Sequence, residues 1–397
     1  MPAPDPRSLV RRSRLPASAS RPVVTPLQPS VVYAAEDADA LDAQYEGRVE
    51  GYAYAREGHP NAAVLGEKLD WLEGVTPAMG KGVVTGSGMA AAGAMFLALL
   101  KAGDHVVAGD QLYGRSLRLL TQDLPRWGVS ASLVDATRAE AVAEAIRPET
   151  RLILVEVVSN PTLRVADMEG IAAVARERGV TLAVDNTFTT PRGFRPFAHG
   201  ANVVIHSVTK LLAGHSDATL GWVAADAPER NRALYDAAVS WGLTPSPFDC
   251  WLAERGLHSF DLRLERAGAN AAALADALAE TPGVAQVLYP GRADHPDHGR
   301  AKALLSGFGN MVSFRLKGGR AEVNRLVRAA RHIPFAPTLG DVGTTLSHPA
   351  SSSHRGLTPE GRAALGIDEG FLRVSVGCED AAQLIGEFRA AVAQAAG

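Results

Sequence analysis

Short apolar runs alternate with helix-patterned segments from about residue 61 to residue 207, and nothing else in the chain restricts its fold as strongly. The runs are GVVT at 82–85, DHVVAG at 104–109, SASLVD at 130–135, RLILVEVV at 151–158, VTLAVD at 180–185 and NVVIHS at 202–207. Helix-spaced segments lie before and between them at 62–74, 88–103, 114–128, 137–146 and 167–179. Strands that are apolar without alternation are buried on both faces. Strand–helix repetition of this kind therefore predicts an α/β fold with a mainly parallel sheet covered on both sides. Ligands of such sheets sit beyond the carboxyl ends of the strands.

The texture changes after Trp241, where Pro245 and Pro247 interrupt the alternation. A long helical stretch is expected over 249–280. Strand-like runs at 284–290, 310–316 and 371–377 then mix with helical segments at 321–330 and 380–396. This predicts a second, smaller α/β unit from about residue 246 onward. A chain of 397 residues is long enough for both. The first thirty residues, rich in Pro, Ser and Arg, read either as a transit peptide or as an extended arm that is partly disordered or lies on a neighbouring subunit.

Bulk properties exclude several classes of function. A net charge of −3 gives no basis for binding nucleic acid or an acidic membrane surface. The longest apolar run, Ala90 to Leu100, is too short to span a bilayer. Two cysteines, Cys250 and Cys378, are too few for a disulfide framework or a cysteine-built zinc site, and they fit a reducing, cytoplasmic setting. The segment GVTPAMGKG at 74–82 lacks the spacing and the Ser or Thr of a phosphate-binding P-loop. DHPDH at 294–298 reads as a solvated loop rather than a metal site, because Pro296 opposes a helix that would present both histidines on one face. Cys378 reads as a packed small side chain rather than a nucleophile.

Four polar features gather at strand ends: Asp185, Lys210, Gly88 at a helix start, and Tyr113. Taken singly, each has an ordinary structural reading as a turn residue, a surface lysine, a helix start or a packed ring. Together they match the needs of pyridoxal 5′-phosphate (PLP): a lysine for a Schiff base, a carboxylate for the pyridinium nitrogen, a helix N-terminus for the phosphate and an aromatic ring for the pyridine face. Ser207 and Thr209 offer further hydroxyl donors beside Lys210.

With these residues in view, the chain resembles the Cys/Met-metabolism family of PLP-dependent enzymes, which includes cystathionine γ-synthase, cystathionine β- and γ-lyases and methionine γ-lyase. The resemblance runs from about Pro26 to the C-terminus. It is carried by YAREGHPN at 54–61, SGMAA at 87–91, LYG at 112–114, EVVSNPTL at 156–163, AVDNTF at 183–188, HSVTKLLAGHSD at 206–217, HPASSSH at 348–354 and LRVSVGCED at 372–380, among others. It implies a fold type I architecture: an arm over residues 1–50 contacting a neighbouring subunit, a PLP-binding domain over 51–245 with a seven-stranded sheet, and a C-terminal domain over 246–397.

The resemblance also implies roles. Lys210 holds the cofactor and moves protons, Asp185 partners the pyridinium nitrogen, and Tyr113 stacks on the ring and acts as acid or base at the leaving group. Ser87, Gly88, Met89, Ser207 and Thr209 correspond to phosphate-binding positions. Tyr54 and Arg56 correspond to a pair that reaches the phosphate of the neighbouring subunit, within a homotetramer built as a dimer of dimers. Asn160 and Thr338 help hold the cofactor and the substrate carboxylate, and Arg373 takes that carboxylate through its fork. Arg115 and Pro337 depart from the family pattern; Arg115 faces either the distal end of the substrate or solvent. The implied activity is γ-elimination from a sulfur amino acid to a 2-oxo acid and ammonia. The alternatives are γ-replacement, β-elimination and γ-elimination on an uncommon non-sulfur amino acid. No metal is implied.

Overall fold

The computed structural model describes residues 16–396. Residues 1–15 of the expected arm lie outside the described residues. Seven strands form the larger sheet: β1 (Val83–Thr85), β2 (His105–Gly109), β3 (Ser130–Val134), β4 (Thr150–Glu156), β5 (Thr181–Asp185), β6 (Val203–His206) and β7 (Gly221–Ala225). Their order across the sheet is β1-β7-β6-β5-β4-β2-β3. Strands β2 to β6 pair in parallel, and β7 runs antiparallel to both β6 and β1. Two reversals bring β1 back to the direction of β6. The carboxyl ends of β1, β2, β4, β5 and β6 therefore share one edge.

Period-2 geometry divides each central strand between two apolar layers. Val107, Ile153, Val155, Leu182, Val184 and Val204 join the layer under the Pro60–Glu73 and Met168–Arg178 helices. Their neighbours Val106, Ala108, Leu152, Leu154, Ala183, Val203 and Ile205 face the layer containing the Gly88–Leu99 and Pro228–Ser240 helices. Because both faces are covered, the strands read as continuous apolar runs.

The smaller sheet is antiparallel throughout, in the order β10-β11-β9-β8, from β8 (Val284–Leu288), β9 (Met311–Leu316), β10 (Thr345–Ser347) and β11 (Phe371–Ser375). Leu274, Phe314, Leu326, Leu372 and Phe388 fill the space between it and its helices.

Several expectations need correction. The helical stretch expected over 249–280 is two helices, Pro247–Leu257 and Phe260–Ala279, broken at His258–Ser259. The segment expected to be one helix over 114–128 is α-helical only over Gly114–Arg118. It continues as a π turn to Asp123 and a 3-10 turn to Trp127. Pro125 has no N–H for the preceding turn and crowds its carbonyl, so a regular helix cannot pass through it. The loop at 294–298 is only partly solvated: Asp294 and Pro296 are exposed, but His295 and Asp297 are buried. Asp297 accepts from Arg164 Nε at 2.6 Å and from the Val165 N–H at 3.0 Å.

Leu182 is fully buried at the centre of the parallel strands. Leu182→Ala is expected to cost about 2–5 kcal/mol, since a core of this density relaxes little around a cavity. The midpoint of urea denaturation reads this directly, and an unshifted midpoint would contradict the two-layer core.

Candidate active site

The Gly88–Leu99 helix begins at the sheet edge, capped by Ser87, whose Oγ accepts from the Ala90 N–H at 3.0 Å. The N–H groups of Gly88 and Met89 have no earlier carbonyl in the helix and lie at its positive end. Two close approaches fix this helix start. A Cβ on Gly88 would stand 2.7 Å from Cβ and 2.9 Å from Cα of Ser207. A Cβ on Gly221 would stand 2.1 Å from the Ser87 carbonyl oxygen. Glycine at both positions lets Ser207, Ser87 and the first turn crowd around one small space rich in donors.

Thr209 and Lys210 follow on the loop after β6. The Thr209 hydroxyl donates to the Leu220 carbonyl at 3.1 Å and accepts from the Leu220 N–H at 2.9 Å. Its one O–H is therefore committed to holding the loop against the start of β7. Lys210 Nζ lies 3.4 Å from Oγ1 of Thr338, to which it donates. The Thr338 segment reaches the lysine because Gly340, at φ +82°, packs where a Cβ would meet Leu211 N at 2.4 Å. Burial, and then the charge of Arg373, push the Lys210 ammonium below its ordinary range.

Asp185 ends β5 and accepts from the Thr187 N–H at 3.0 Å. Burial pushes its carboxyl above the usual range; the hydrogen bonds from Thr187 and the nearby His206 pull the other way. Behind Asp185, the buried His206 ring contacts Glu73, which also accepts from Asn186 Nδ2 at 2.8 Å.

Arg373, at the middle of β11, carries the smaller sheet into the site. It is 5% exposed. Its Nη1 donates to Asn160 Oδ1 at 2.7 Å and its Nη2 to the Thr338 carbonyl at 3.0 Å. Its Nε is buried without a partner among the described residues. Burial pushes the guanidinium down to about 10, so it stays charged at neutral pH. Its charge centre lies 5.9 Å from the ring centroid of Phe188.

Tyr113 opens the Gly114–Arg118 helix and leaves its ring 41% exposed. Its N–H donates to Glu156 Oε1 at 2.7 Å. A Cβ on Gly114 would lie 2.0 Å from the Ser353 carbonyl oxygen, so the 348–354 segment presses on this turn. The neighbouring His354 is buried, and burial followed by the charge of Arg373 pushes its imidazole down to about 4.

The structure thus gathers Ser87, Gly88 and Ser207 at the helix start, and links Lys210, Thr338, Arg373 and Asn160 by hydrogen bonds. Asp185, Glu156 and Tyr113 adjoin the second group. Arg115 is exposed on the turn after Tyr113. Tyr54 and Arg56 are not drawn into this group among the described residues; the Arg56 guanidinium lies 5.3 Å from the Tyr54 ring centroid. Sequence reasoning missed Glu156, His206, Phe188, His354 and the contact glycines 114, 221 and 340. Of these, Glu156 had a usable signal, since it is a carboxylate at the end of an apolar strand, like Asp185.

PLP fits this residue set. The Gly88 cradle and the Ser207 hydroxyl suit a phosphate, Asp185 suits a cationic ring nitrogen, and Lys210 suits the aldehyde. The unpartnered Arg373 Nε is a ready donor for a substrate carboxylate.

Comparisons with known proteins agree. Residues 8–393 match the family of Cys/Met metabolism PLP-dependent enzymes. The chain is 40% identical to cystathionine beta-lyase MetC of Bacillus subtilis (strain 168) over 345 residues, 87% of each chain. It is 36% identical to L-methionine gamma-lyase of Porphyromonas gingivalis over 369 residues, 92% of each. The structure of cystathionine gamma synthase from Xanthomonas oryzae pv. oryzae in complex with cystathionine superposes with a TM-score of 0.88 at 37% identity, covering 94% of each chain.

Gly88→Ala drives a methyl group into Ser207. PLP affinity, measured by equilibrium dialysis, is expected to fall at least about tenfold while the circular dichroism spectrum is kept, because phosphate donors misplaced by even a fraction of an ångström lose charge-assisted bonds. Unchanged affinity would remove this helix start from the site.

Proposed function

The chain belongs to the Cys/Met-metabolism family of PLP-dependent enzymes, and on that premise we propose that it cleaves a carbon–sulfur bond of a sulfur amino acid by γ-elimination, giving a thiol, a 2-oxo acid and ammonia. The observation that carries this reading is the meeting of Lys210 and Arg373 on one residue. Thr338 accepts from Lys210 Nζ through its hydroxyl and from Arg373 through its carbonyl. A substrate whose carboxylate is held by the Arg373 fork would present its α-carbon beside that amine.

PLP, when bound, supplies a covalent link to the substrate amine and an electron sink for the carbanion left at the α-carbon. The chain supplies the rest. Lys210, with its ammonium destabilised by burial, serves as the base at Cα and then at Cβ. Asp185 holds the ring nitrogen. The Tyr113 hydroxyl delivers a proton to the departing sulfur. Asn160 and Thr338 fix the guanidinium so that the carboxylate meets a preset fork.

The same residues would serve γ-replacement, β-elimination, or γ-elimination on a non-sulfur amino acid. What separates these is set at the rim. Pro337 stands beside Thr338 where the family's γ- and β-enzymes tend to carry glutamate or tyrosine. Arg115, exposed beside Tyr113, would meet a substrate with an anionic distal end. The further proposals follow the same premise: an arm over 1–50, a PLP-binding domain over 51–245 and a small domain over 246–397, assembled as a homotetramer in the cytoplasm. In that assembly Tyr54 and Arg56 reach a neighbouring copy's phosphate. No helix among the described residues is long and apolar enough to cross a membrane.

Incubating the PLP-loaded protein with cystathionine, methionine and O-acylhomoserine is expected to yield 2-oxobutyrate from at least one of the first two. No turnover of any of the three refutes the reading. Lys210→Ala is expected to lose the visible absorbance of lysine-bound cofactor and about 10²–10⁴-fold in rate, the usual range for a general base. Retention of that absorbance would refute the role of this lysine. Arg115→Ala is expected to raise KM for cystathionine about tenfold, the scale of one charge-assisted contact, and to leave methionine unaffected. Equal effects on both substrates would place Arg115 outside the distal subsite.

A further inference from the structure

Glu156 ends β4 at the register position opposite Asp185 on β5. It is 9% exposed, and its two oxygens have different surroundings. Oε1 accepts the backbone N–H of Tyr113 at 2.7 Å. Oε2 is buried and has no partner among the described residues. Asn160 lies nearby, its backbone N–H donating to the Gln111 carbonyl at 3.3 Å and its Oδ1 taking Arg373 Nη1 at 2.7 Å. One side chain therefore bonds to the residue assigned to the leaving group, stands beside the residue assigned to the ring nitrogen, and lies in the field of the carboxylate anchor Arg373.

We propose that Glu156 is a positioning residue of this site, a single carboxyl that holds Tyr113 against the cofactor ring, next to Asp185. This rests on the reading of the site as a PLP site.

The charge state of Glu156 follows from its neighbours. Burial first, and then the negative charge of Asp185, hold its carboxyl well above the usual range. The N–H of Tyr113 and then the charge of Arg373 oppose this. On its other side Glu156 lines a small cleft with Asp110, Asp135 and Arg164. Two adjacent carboxyls seldom both ionise, and a cationic ring nitrogen favours the ionised form at Asp185. A proton on Glu156 sits at Oε2, because Oε1 faces an N–H. In that form the side chain is an uncharged acceptor. As pH rises through its raised value it ionises, placing a second negative charge beside Asp185 and stabilising nearby cations. The bound cofactor should therefore titrate in more than one step.

The test compares the PLP-loaded wild-type protein with Glu156→Gln and Glu156→Ala. The readouts are the visible absorbance of bound cofactor from about pH 6 to about pH 10, PLP affinity by dialysis, and kcat and KM on the sulfur amino acid the wild type turns over. Glutamine keeps an acceptor facing Tyr113 and cannot ionise. It should retain PLP affinity and kcat within about threefold, less than one average hydrogen bond, and should titrate in a single step. Alanine strands the Tyr113 N–H. It should lower kcat and raise KM together by about ten- to a hundredfold.

The proposal is overturned if Glu156→Ala matches the wild type in every readout, or if Glu156→Gln is as impaired as Glu156→Ala. If the alanine variant does not fold, the glutamine titration decides alone, and an unchanged multistep curve overturns the proposal. A wild-type protein that binds no PLP defeats the site reading itself, and this inference with it. PLP binding with an unaffected alanine variant defeats only the role of Glu156.

Discussion

A guanidinium buried where two sheets meet is the constraint from which the site follows. Arg373 belongs to the small antiparallel sheet, yet its donors end on Asn160, beyond β4 of the large sheet, and on the Thr338 carbonyl. An isolated charge at such depth is costly, and hydrogen bonds with neighbouring opposite charge offset that cost. Its field reaches the titratable groups around it. It disfavours the ammonium of Lys210 and the imidazolium of His354, and it favours the carboxylate of Glu156. The lowered ammonium of Lys210, which burial begins and this charge extends, and a buried cation open at one nitrogen thus share one origin.

The large sheet and the principal site residues were legible in the sequence for a physical reason. Strands covered on both faces leave continuous apolar runs. A polar residue that ends such a run or follows it closely stands out, as Asp185 and Lys210 do. Strand β7 was missed because Gly221 and the polar loop before it argue against a strand. The glycine is there because the Ser87 carbonyl occupies the place of its side chain, a contact between residues far apart in sequence. Strand β10 is three residues long and carries almost no pattern. The tie between Thr209 and Leu220 and the burial of His295 and Asp297 likewise depend on partners brought together only by folding. Glu156 offered the same kind of signal, but Val157 and Val158 follow it, so the apolar run reads past it where the run of Asp185 stops.

The inner and outer parts of the site differ in how tightly they are determined. Asn160, Glu156 and Arg373 are buried, and a hydrogen bond of 2.7 Å joins Asn160 to Arg373. Arg115 and Pro337 are exposed. The relatives mirror this division, since a β-lyase, a γ-lyase and a γ-synthase all resemble the chain over nearly its whole length.

Gly88, Gly114, Gly221 and Gly340 each touch a distant stretch of backbone or a small side chain at a distance no Cβ tolerates. None of these positions can accept a side chain unless the segment opposite moves in the same event, so single-step mutational drift at them is closed. The rim residues carry no such coupling. A lineage that retunes this enzyme to another substrate can do so by one change at a time around the mouth, while the floor is inherited as a block.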